Sequence, residues 1–180
     1  MYRSYLNASY VKFSSIRAVT LCLAVAGCSP SETYHATEIH GSEKFASQIR
    51  EALELIRHHS PDDFASITEY VRRIEESDRS GMDTSRSVCQ LAPATAYHSI
   101  TWCAGCIAHE AHHAKLSQSA SYSYGHAQEE KVCIAYQRAV LERIGAPPSE
   151  LEYLATLDGS HFDADGDGEY SWKDYGARNW

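Results

Sequence analysis

The chain of 180 residues lacks a long apolar run, an excess of basic side chains and an internal repeat. The apolar run over 18–27 is about half as long as a membrane-spanning helix needs to be. Lys and Arg number 16 against 24 Asp and Glu, a net charge of −8 that argues against nucleic-acid binding as the main role. Hydrophobic content of 43% argues against disorder, so we expect one folded domain with a small appendage.

The first 27 residues contain no acidic side chain. Their basic residues are Arg3, Lys12 and Arg17. A short apolar run with small residues at its end follows, which is the layout of a secretory signal peptide. The sequence Val25-Ala26-Gly27-Cys28 resembles the bacterial lipobox. That resemblance implies cleavage before Cys28, lipidation of its thiol and, because Ser29 follows, sorting to the outer membrane. We therefore expect a lipid-anchored extracytoplasmic protein, with an ordinary signal peptide cut nearby as the alternative.

The six cysteines divide according to this compartment. Cys22 would leave with the signal peptide and Cys28 would carry lipid. The remaining cysteines are Cys89, Cys103, Cys106 and Cys133. Four cysteines in an oxidising compartment predict two disulfides, with three possible pairings. The rival interpretation is a C-x-x-C redox motif at 103–106, which lacks a βαβ context here.

Hydrophobic periodicity predicts a mainly α protein, with an α+β organisation as the alternative. Helices are expected from Ser42 to about His59, from Ser60 to about Ile74, and over about 102–116, 126–144 and 149–157. A short β-hairpin is expected within 88–100. The resulting division is a signal peptide over 1–27, a polar tether over 28–41, a helical hairpin over 42–80, a core over 81–157 and an acidic loop over 158–180.

The main chemical signal is His109-Glu110-Ala111-His112-His113, an H-E-x-x-H sequence. On a helix His109 and His113 share one face, where both can bind one zinc ion, and Glu110 lies beside the open coordination position as a general base. A third ligand is expected from the following helix, which begins with Glu129 and Glu130. Periodicity favours Glu129, because it lies near the centre of that helix's apolar stripe.

The run from Glu130 to Gln137 is similar to the E-x-x-small pattern of gluzincin-type metallopeptidases. The segment 88–180 resembles bacterial secreted or lipoprotein zinc metallopeptidases of that type. The resemblance implies Glu130 as the third ligand, a minimal zincin-like domain, and hydrolysis of a peptide or peptidoglycan amide. A metal-binding structural lipoprotein without turnover is the alternative.

The same pair of helices suggests one disulfide pairing among the three. If the helices run antiparallel with their ligands facing, Cys106 and Cys133 lie at similar heights. A Cys106–Cys133 bridge would then join the two helices and leave Cys89 to pair with Cys103.

The C-terminal run 163–174 resembles a twelve-residue EF-hand loop. Its candidate ligands are Asp163, Asp165, Asp167, Glu169 and Asp174. Acids at alternating positions converge on one cation, and a glycine at position 6 permits the sharp turn. Position 12 is Asp174 rather than Glu, whose longer side chain reaches bidentate contact more easily. We expect a calcium site here, with a solvated acidic tail as the alternative.

Overall fold

The computed structural model describes residues 31–119, 127–160, 163–167, 171 and 173–174. Five strands and six helices are assigned within these residues: β1 (Ser31–Tyr34), β2 (Thr37–His40), α1 (Glu43–His59), α2 (Pro61–Tyr70), β3 (Arg73–Glu76), β4 (Gly81–Asp83), β5 (Val88–Leu91), α3 (Pro93–Ala96), α4 (Ile100–Ser117), α5 (Ala127–Arg143) and α6 (Pro148–Leu154). The prediction of a mainly α or α+β fold is confirmed. The expectations for the signal peptide 1–27 and for Cys28 lie outside the described residues. None of the described helices combines the length and the apolar character needed to cross a membrane.

The strands form one mixed sheet in the order β1-β2-β3-β5-β4. The three central strands β2, β3 and β5 are parallel, and the edge strands β1 and β4 pair antiparallel to their neighbours. Ile39, Ile74 and Cys89 lie in register across the central strands and are fully buried. The helices α1 and α2 connect β2 to β3, as a parallel crossover requires.

The prediction of an irregular tether over 28–41 is wrong for 31–40, which forms the β1–β2 hairpin. The helical hairpin expected over 42–80 is also too long, because α2 ends at Tyr70 and β3 follows. Ile74 fits the period of the helix before it, but it lies in β3 between Ile39 and Cys89. Burial of this apolar line in the sheet outweighs the local helical pattern.

The predicted β-hairpin before the H-E-x-x-H helix exists, but it is shifted toward the N-terminus. Its first strand is β4, which lies before the segment 88–100 in which the hairpin was expected. Its second strand β5 ends at Leu91, and Pro93 begins the short helix α3. Proline cannot donate to a strand ladder but suits the first turn of a helix, which explains where the strand stops.

The helix α4 lies at the centre of the helical layer and packs against α1, α2 and α5. Its N-terminus is fixed by Ser99, whose hydroxyl accepts a hydrogen bond from the backbone N–H of Trp102. Gly105 permits a close approach to α5, since a Cβ atom there would lie 2.7 Å from the side chain of Leu141. This close contact holds the H-E-x-x-H face of α4 against the first turns of α5.

Candidate metal centre

The two motif histidines lie one turn apart on α4 and point at the same place. The Nε2 atoms of His109 and His113 are 3.0 Å apart, and both side chains are about nine-tenths buried. An α-helix places residues i and i+4 on one face, so this convergence follows from local geometry alone. The pair offers two imidazole nitrogens to a single ion.

Glu130 of α5 faces both of these nitrogens. Its Oε2 lies 3.4 Å from Nε2 of His109, and its Oε1 lies 3.4 Å from Nε2 of His113. Tetrahedral coordination with bonds of about 2.0–2.1 Å separates ligand atoms by about 3.3 Å. The two nitrogens and the carboxylate are therefore spaced as three donors of a four-coordinate metal ion.

Glu129 contacts the opposite side of His113. Its Oε1 lies 2.6 Å from Nδ1 of that histidine. A carboxylate accepts hydrogen bonds, so it favours the tautomer in which Nδ1 carries the proton and Nε2 keeps its lone pair. The two acids that begin α5 thus differ in position: Glu130 lies on the Nε2 side of the histidines, and Glu129 orients His113 from behind.

In this cluster hydrogen bonds outweigh the effect of burial on the pKa values of His113 and Glu130. Burial lowers the pKa of His113, but hydrogen bonds to Cys133, Glu129 and Glu130 outweigh it and raise the pKa well above its ordinary value. Burial raises the pKa of Glu130, but hydrogen bonds to His109 and His113 hold it far below the usual range. His113 therefore retains a proton that a metal ion would displace, and Glu130 remains ionised.

Cys133 belongs to the same cluster, although the sequence predicted a disulfide with Cys106 for it rather than a place beside the histidines. A ring nitrogen of His109, a ring nitrogen of His113 and the Sγ atom of Cys133 all lie within 4.8 Å of one another. Cys133 is fully buried and hydrogen-bonded to His113. The signal in the sequence is its spacing, three residues after Glu130, which places both side chains on one face of α5.

All four described cysteines carry free thiols, so neither of the two expected disulfides is formed. Cys133 faces the histidines, while the Sγ atom of Cys106 accepts a weak hydrogen bond of 3.7 Å from Nε2 of Gln137. Burial raises the pKa of Cys103 to about 12 and that of Cys106 well above its ordinary value. These thiols therefore lack the thiolate character that a C-x-x-C redox centre uses.

Glu110 is buried on α4 with 8% of its surface exposed. Burial raises the pKa values of the Cys89, Cys106 and Cys133 thiols, and the charge of Glu110 adds to each rise. Glu110 directly follows His109 on α4, and His109 belongs to the metal-capable group. It is an acceptor that could receive a proton there.

His112, the third histidine of the motif, serves packing. Its ring stacks on Tyr136 with centroids 4.4 Å apart, and the Tyr136 hydroxyl donates to Asp63 of α2. Burial lowers the pKa of His112 to about 4, so it is neutral at physiological pH. This contact links α4, α5 and α2 on the side away from Glu130.

A second metal-capable group lies in the acidic loop. One carboxylate oxygen from each of Asp163, Asp165 and Asp174 lies within 4.8 Å of the others. Asp167 is among the described residues but outside this group, and Glu169 lies outside the described residues. The loop turns at Gly166, whose φ of +78° is in the left-handed region that glycine adopts without strain.

Backbone amides organise this loop around its acids. Asp163 Oδ1 accepts from the N–H groups of Gly166 and Asp167, at 2.6 and 3.1 Å. Asp174 is fully buried and accepts from the amides of Ala164 and Ser171. Hydrogen bonds from Ser171, from its side chain above all, hold the pKa of Asp174 below its usual value. The Asp174 carboxylate is thus ionised, and it already converges with those of Asp163 and Asp165.

Comparison with known proteins gave no relative. No family model matches the chain, and no curated protein or solved structure was found that matches it significantly.

Proposed function

We propose that this protein is a lipid-anchored, extracytoplasmic zinc peptidase that hydrolyses a peptide or peptidoglycan amide bond. The observation that carries the proposal is the convergence of His109, His113 and Glu130 at 3.0 and 3.4 Å, next to the buried Glu110. The lipobox-like sequence before Cys28 supports the anchor. The β4–β5 hairpin and the packed helices α4 and α5 supply the scaffold.

The donor chemistry supports zinc over harder cations. Two imidazoles and one carboxylate, with a thiol close by, form a nitrogen-rich set, whereas calcium and magnesium take oxygen ligands. Zinc bound by His109, His113 and Glu130 would supply the Lewis acidity that polarises a scissile carbonyl. Glu129 would keep the His113 ring in the tautomer that binds metal.

Glu110 is proposed as the general base. It accepts one proton from the attacking water as the water oxygen bonds to the carbonyl carbon. It then donates that proton to the amine nitrogen as the carbon–nitrogen bond breaks. The side chain ends the cycle as the carboxylate it began with, so no further reactant is needed.

The acidic loop is proposed as a calcium site with a structural role. Its donors are carboxylate oxygens, which calcium prefers, and its partly exposed acids allow an ion to exchange with solvent. Bound calcium would offset their mutual repulsion and fix the segment that follows α6.

The test of the peptidase uses the purified full chain in detergent. Zinc is quantified by mass spectrometry, and cleavage is followed on a broad peptide library and on peptidoglycan fragments. We expect one zinc per chain at the helix site, cleavage by the wild type, and a Glu110→Gln variant that keeps zinc but loses cleavage by about 10²-fold or more. Glu152→Gln, an exposed acid on α6, is the matched control and should retain both. Absence of stoichiometric zinc in the wild type would overturn the proposal.

A second candidate function is a metal-binding structural lipoprotein. Cys133 favours it, because its thiol lies beside two of the three proposed ligands, His109 and His113, and structural zinc sites are typically closed by four protein donors. Under this alternative Glu110→Gln and the wild type would bind zinc equally, and neither would cleave any substrate.

A further inference from the structure

The proposed peptidase mechanism gives no role to the thiol of Cys133. Cys133 follows Glu130 by three residues on α5, and its Sγ atom lies within 4.8 Å of ring nitrogens of both His109 and His113. A zinc–sulfur bond is about 2.3 Å long and a zinc–nitrogen bond about 2.0–2.1 Å, so sulfur and nitrogen donors of one tetrahedral ion lie about 3.6 Å apart, and side-chain shifts of roughly 1 Å produce that spacing here. The thiol is therefore within reach of the same ion.

The surroundings of Cys133 separate it from the other cysteines. Cys89 is buried in β5 and Cys103 is buried on α4, while Cys106 contacts the amide of Gln137 on α5. Cys133 is instead fully buried with its Sγ atom within 4.8 Å of a ring nitrogen of His113. Of the four described cysteines, Cys133 alone belongs to a metal-capable group.

We propose that the Cys133 thiolate is a fourth protein ligand of the metal held by His109, His113 and Glu130, and that it closes the site. On binding, the S–H bond breaks, its proton leaves to solvent, and a sulfur–metal bond forms, so no oxidant or reductant is involved. The softness of the sulfur donor supports this assignment, because thiolate and imidazole ligands together select zinc-like ions over calcium or magnesium.

The consequence deepens the proposed function and rests on it. Structural zinc sites are closed by four protein ligands, whereas hydrolytic sites keep one position open. A site closed by Cys133 is latent, and hydrolysis requires the thiolate to leave the metal. The vacated position would then be open to the water that the proposed general base Glu110 deprotonates.

The test replaces zinc with Co²⁺ in the wild-type full chain, because Co²⁺ reports its ligands by absorption. Thiolate ligation produces an intense sulfur-to-cobalt charge-transfer band in the near ultraviolet, which nitrogen and oxygen ligands do not produce. We expect this band at one Co²⁺ per chain. Stoichiometric Co²⁺ without the band would overturn the ligand assignment and leave the peptidase proposal standing.

Two cysteine variants assign the sulfur. Cys133→Ser should lose the band and bind Co²⁺ about tenfold or more weakly, whereas Cys106→Ser, one helix away, should keep both the band and the affinity. A band that persists in Cys133→Ser would overturn the proposal. The wild-type spectrum itself needs no variant, so a Cys133 variant that fails to fold leaves the test intact.

Cleavage assays then separate latency from catalysis. If Cys133 closes the site, Cys133→Ala hydrolyses peptides several-fold faster than the wild type, while Cys106→Ala does not. A band in the wild type combined with an unchanged rate in Cys133→Ala would overturn latency but not ligation. A band combined with no cleavage in any variant would instead overturn the proposed peptidase.

Discussion

The two metal-capable clusters bring three donors within the same 4.8 Å by opposite means. The helix cluster of His109, His113 and Cys133 draws on two helices and is buried, with nitrogen and sulfur donors. The loop cluster of Asp163, Asp165 and Asp174 lies within twelve residues and uses oxygen donors. The first therefore depends on how α4 packs against α5, and the second depends mainly on local backbone geometry. We expect the two to differ in metal preference and in sensitivity to packing.

The largest expected effect comes from removing one imidazole. His113→Ala deletes a donor and leaves Glu129 and Glu130 facing each other without the group that both contact. We expect zinc affinity to fall by on the order of 10³-fold, more than for the loss of a supporting hydrogen bond. Calcium binding at the loop should not change. Titration calorimetry with each metal measures both.

The control for this variant is His112→Ala, which removes a neighbouring imidazole that stacks on Tyr136. It should lower stability through lost packing but leave zinc affinity within a few-fold of the wild type. Equal zinc affinity in His113→Ala and the wild type would show that the helix cluster is not the zinc site.

The corresponding change in the loop cluster is Asp174→Ala, which should weaken calcium binding rather than zinc binding. Both oxygens of Asp174 accept backbone or hydroxyl hydrogen bonds, so Asp174→Ala removes a proposed calcium ligand and the centre of the loop's hydrogen bonding. We expect calcium affinity to fall by about 10²-fold, because ligand charge count sets affinity in such loops. Calcium titration monitored by calorimetry measures the change.

Asp158→Ala is the matched control, because this acid lies outside the twelve-residue run 163–174 and accepts hydrogen bonds from the amide and hydroxyl of Ser160. Its calcium affinity should match that of the wild type. A loss of zinc in Asp174→Ala as large as its loss of calcium would mean that the two clusters are not independent.

A smaller loss of zinc affinity is expected from substitution of Glu129, which contacts Nδ1 of His113. Glu129→Gln keeps the size of the side chain but removes the charge that holds the Nδ1 proton of His113. Such supporting partners typically contribute 10–100-fold to metal affinity, so we expect a loss of about 10-fold to 100-fold. Competition with a coloured zinc chelator resolves a change of this size.

The discriminating comparison is Glu130→Gln, which alters the group facing the Nε2 atoms. It should weaken zinc binding more than Glu129→Gln does. If the order were reversed, Glu129 would be the ligand, as helix periodicity alone suggests.

The sequence predicts the parts of this molecule that are local. The i, i+4 spacing of His109 and His113 and the alternating acids from Asp163 place donors together without knowledge of the rest of the fold. The start of α1 was also predicted, because its cap Ser42 is a local signal, whereas α4 begins at Ile100 after its cap Ser99, two residues before the expected start at 102.

Features that depend on distant contacts were missed. Strands of three or four residues are too short to show a period, so the burial of Ile39 and Ile74 in parallel β2 and β3 was not predictable. The role of Cys133 depends on which face of α5 meets α4. The position of Cys133 three residues after Glu130 is compatible both with a disulfide to Cys106 and with contact to His109 and His113.

The smallest expected effect tests whether the two clusters are coupled. Gly159 precedes the acidic loop and lies against the first turn of α5, where a Cβ atom would be 2.5 Å from the carbonyl oxygen of Ala127. A backbone atom cannot move aside easily, so Gly159→Ala should displace the segment and disturb the turn that carries Glu129 and Glu130. Gly145 is the matched control, since its φ of +73° imposes similar strain but a Cβ there meets nothing within 4 Å.

Gly145→Ala should lower the free energy of unfolding by about 1 kcal/mol, because alanine is strained at positive φ, and Gly159→Ala should lower it further because of the added backbone clash. Only Gly159→Ala should also weaken zinc binding, by a few-fold, and addition of calcium should restore part of that loss by holding the loop in place. Denaturant unfolding and zinc competition, each with and without calcium, measure these effects. If the two variants bind zinc equally, the segment after α6 does not support the zinc-binding turn, and the buried cluster depends on the α4–α5 contact alone.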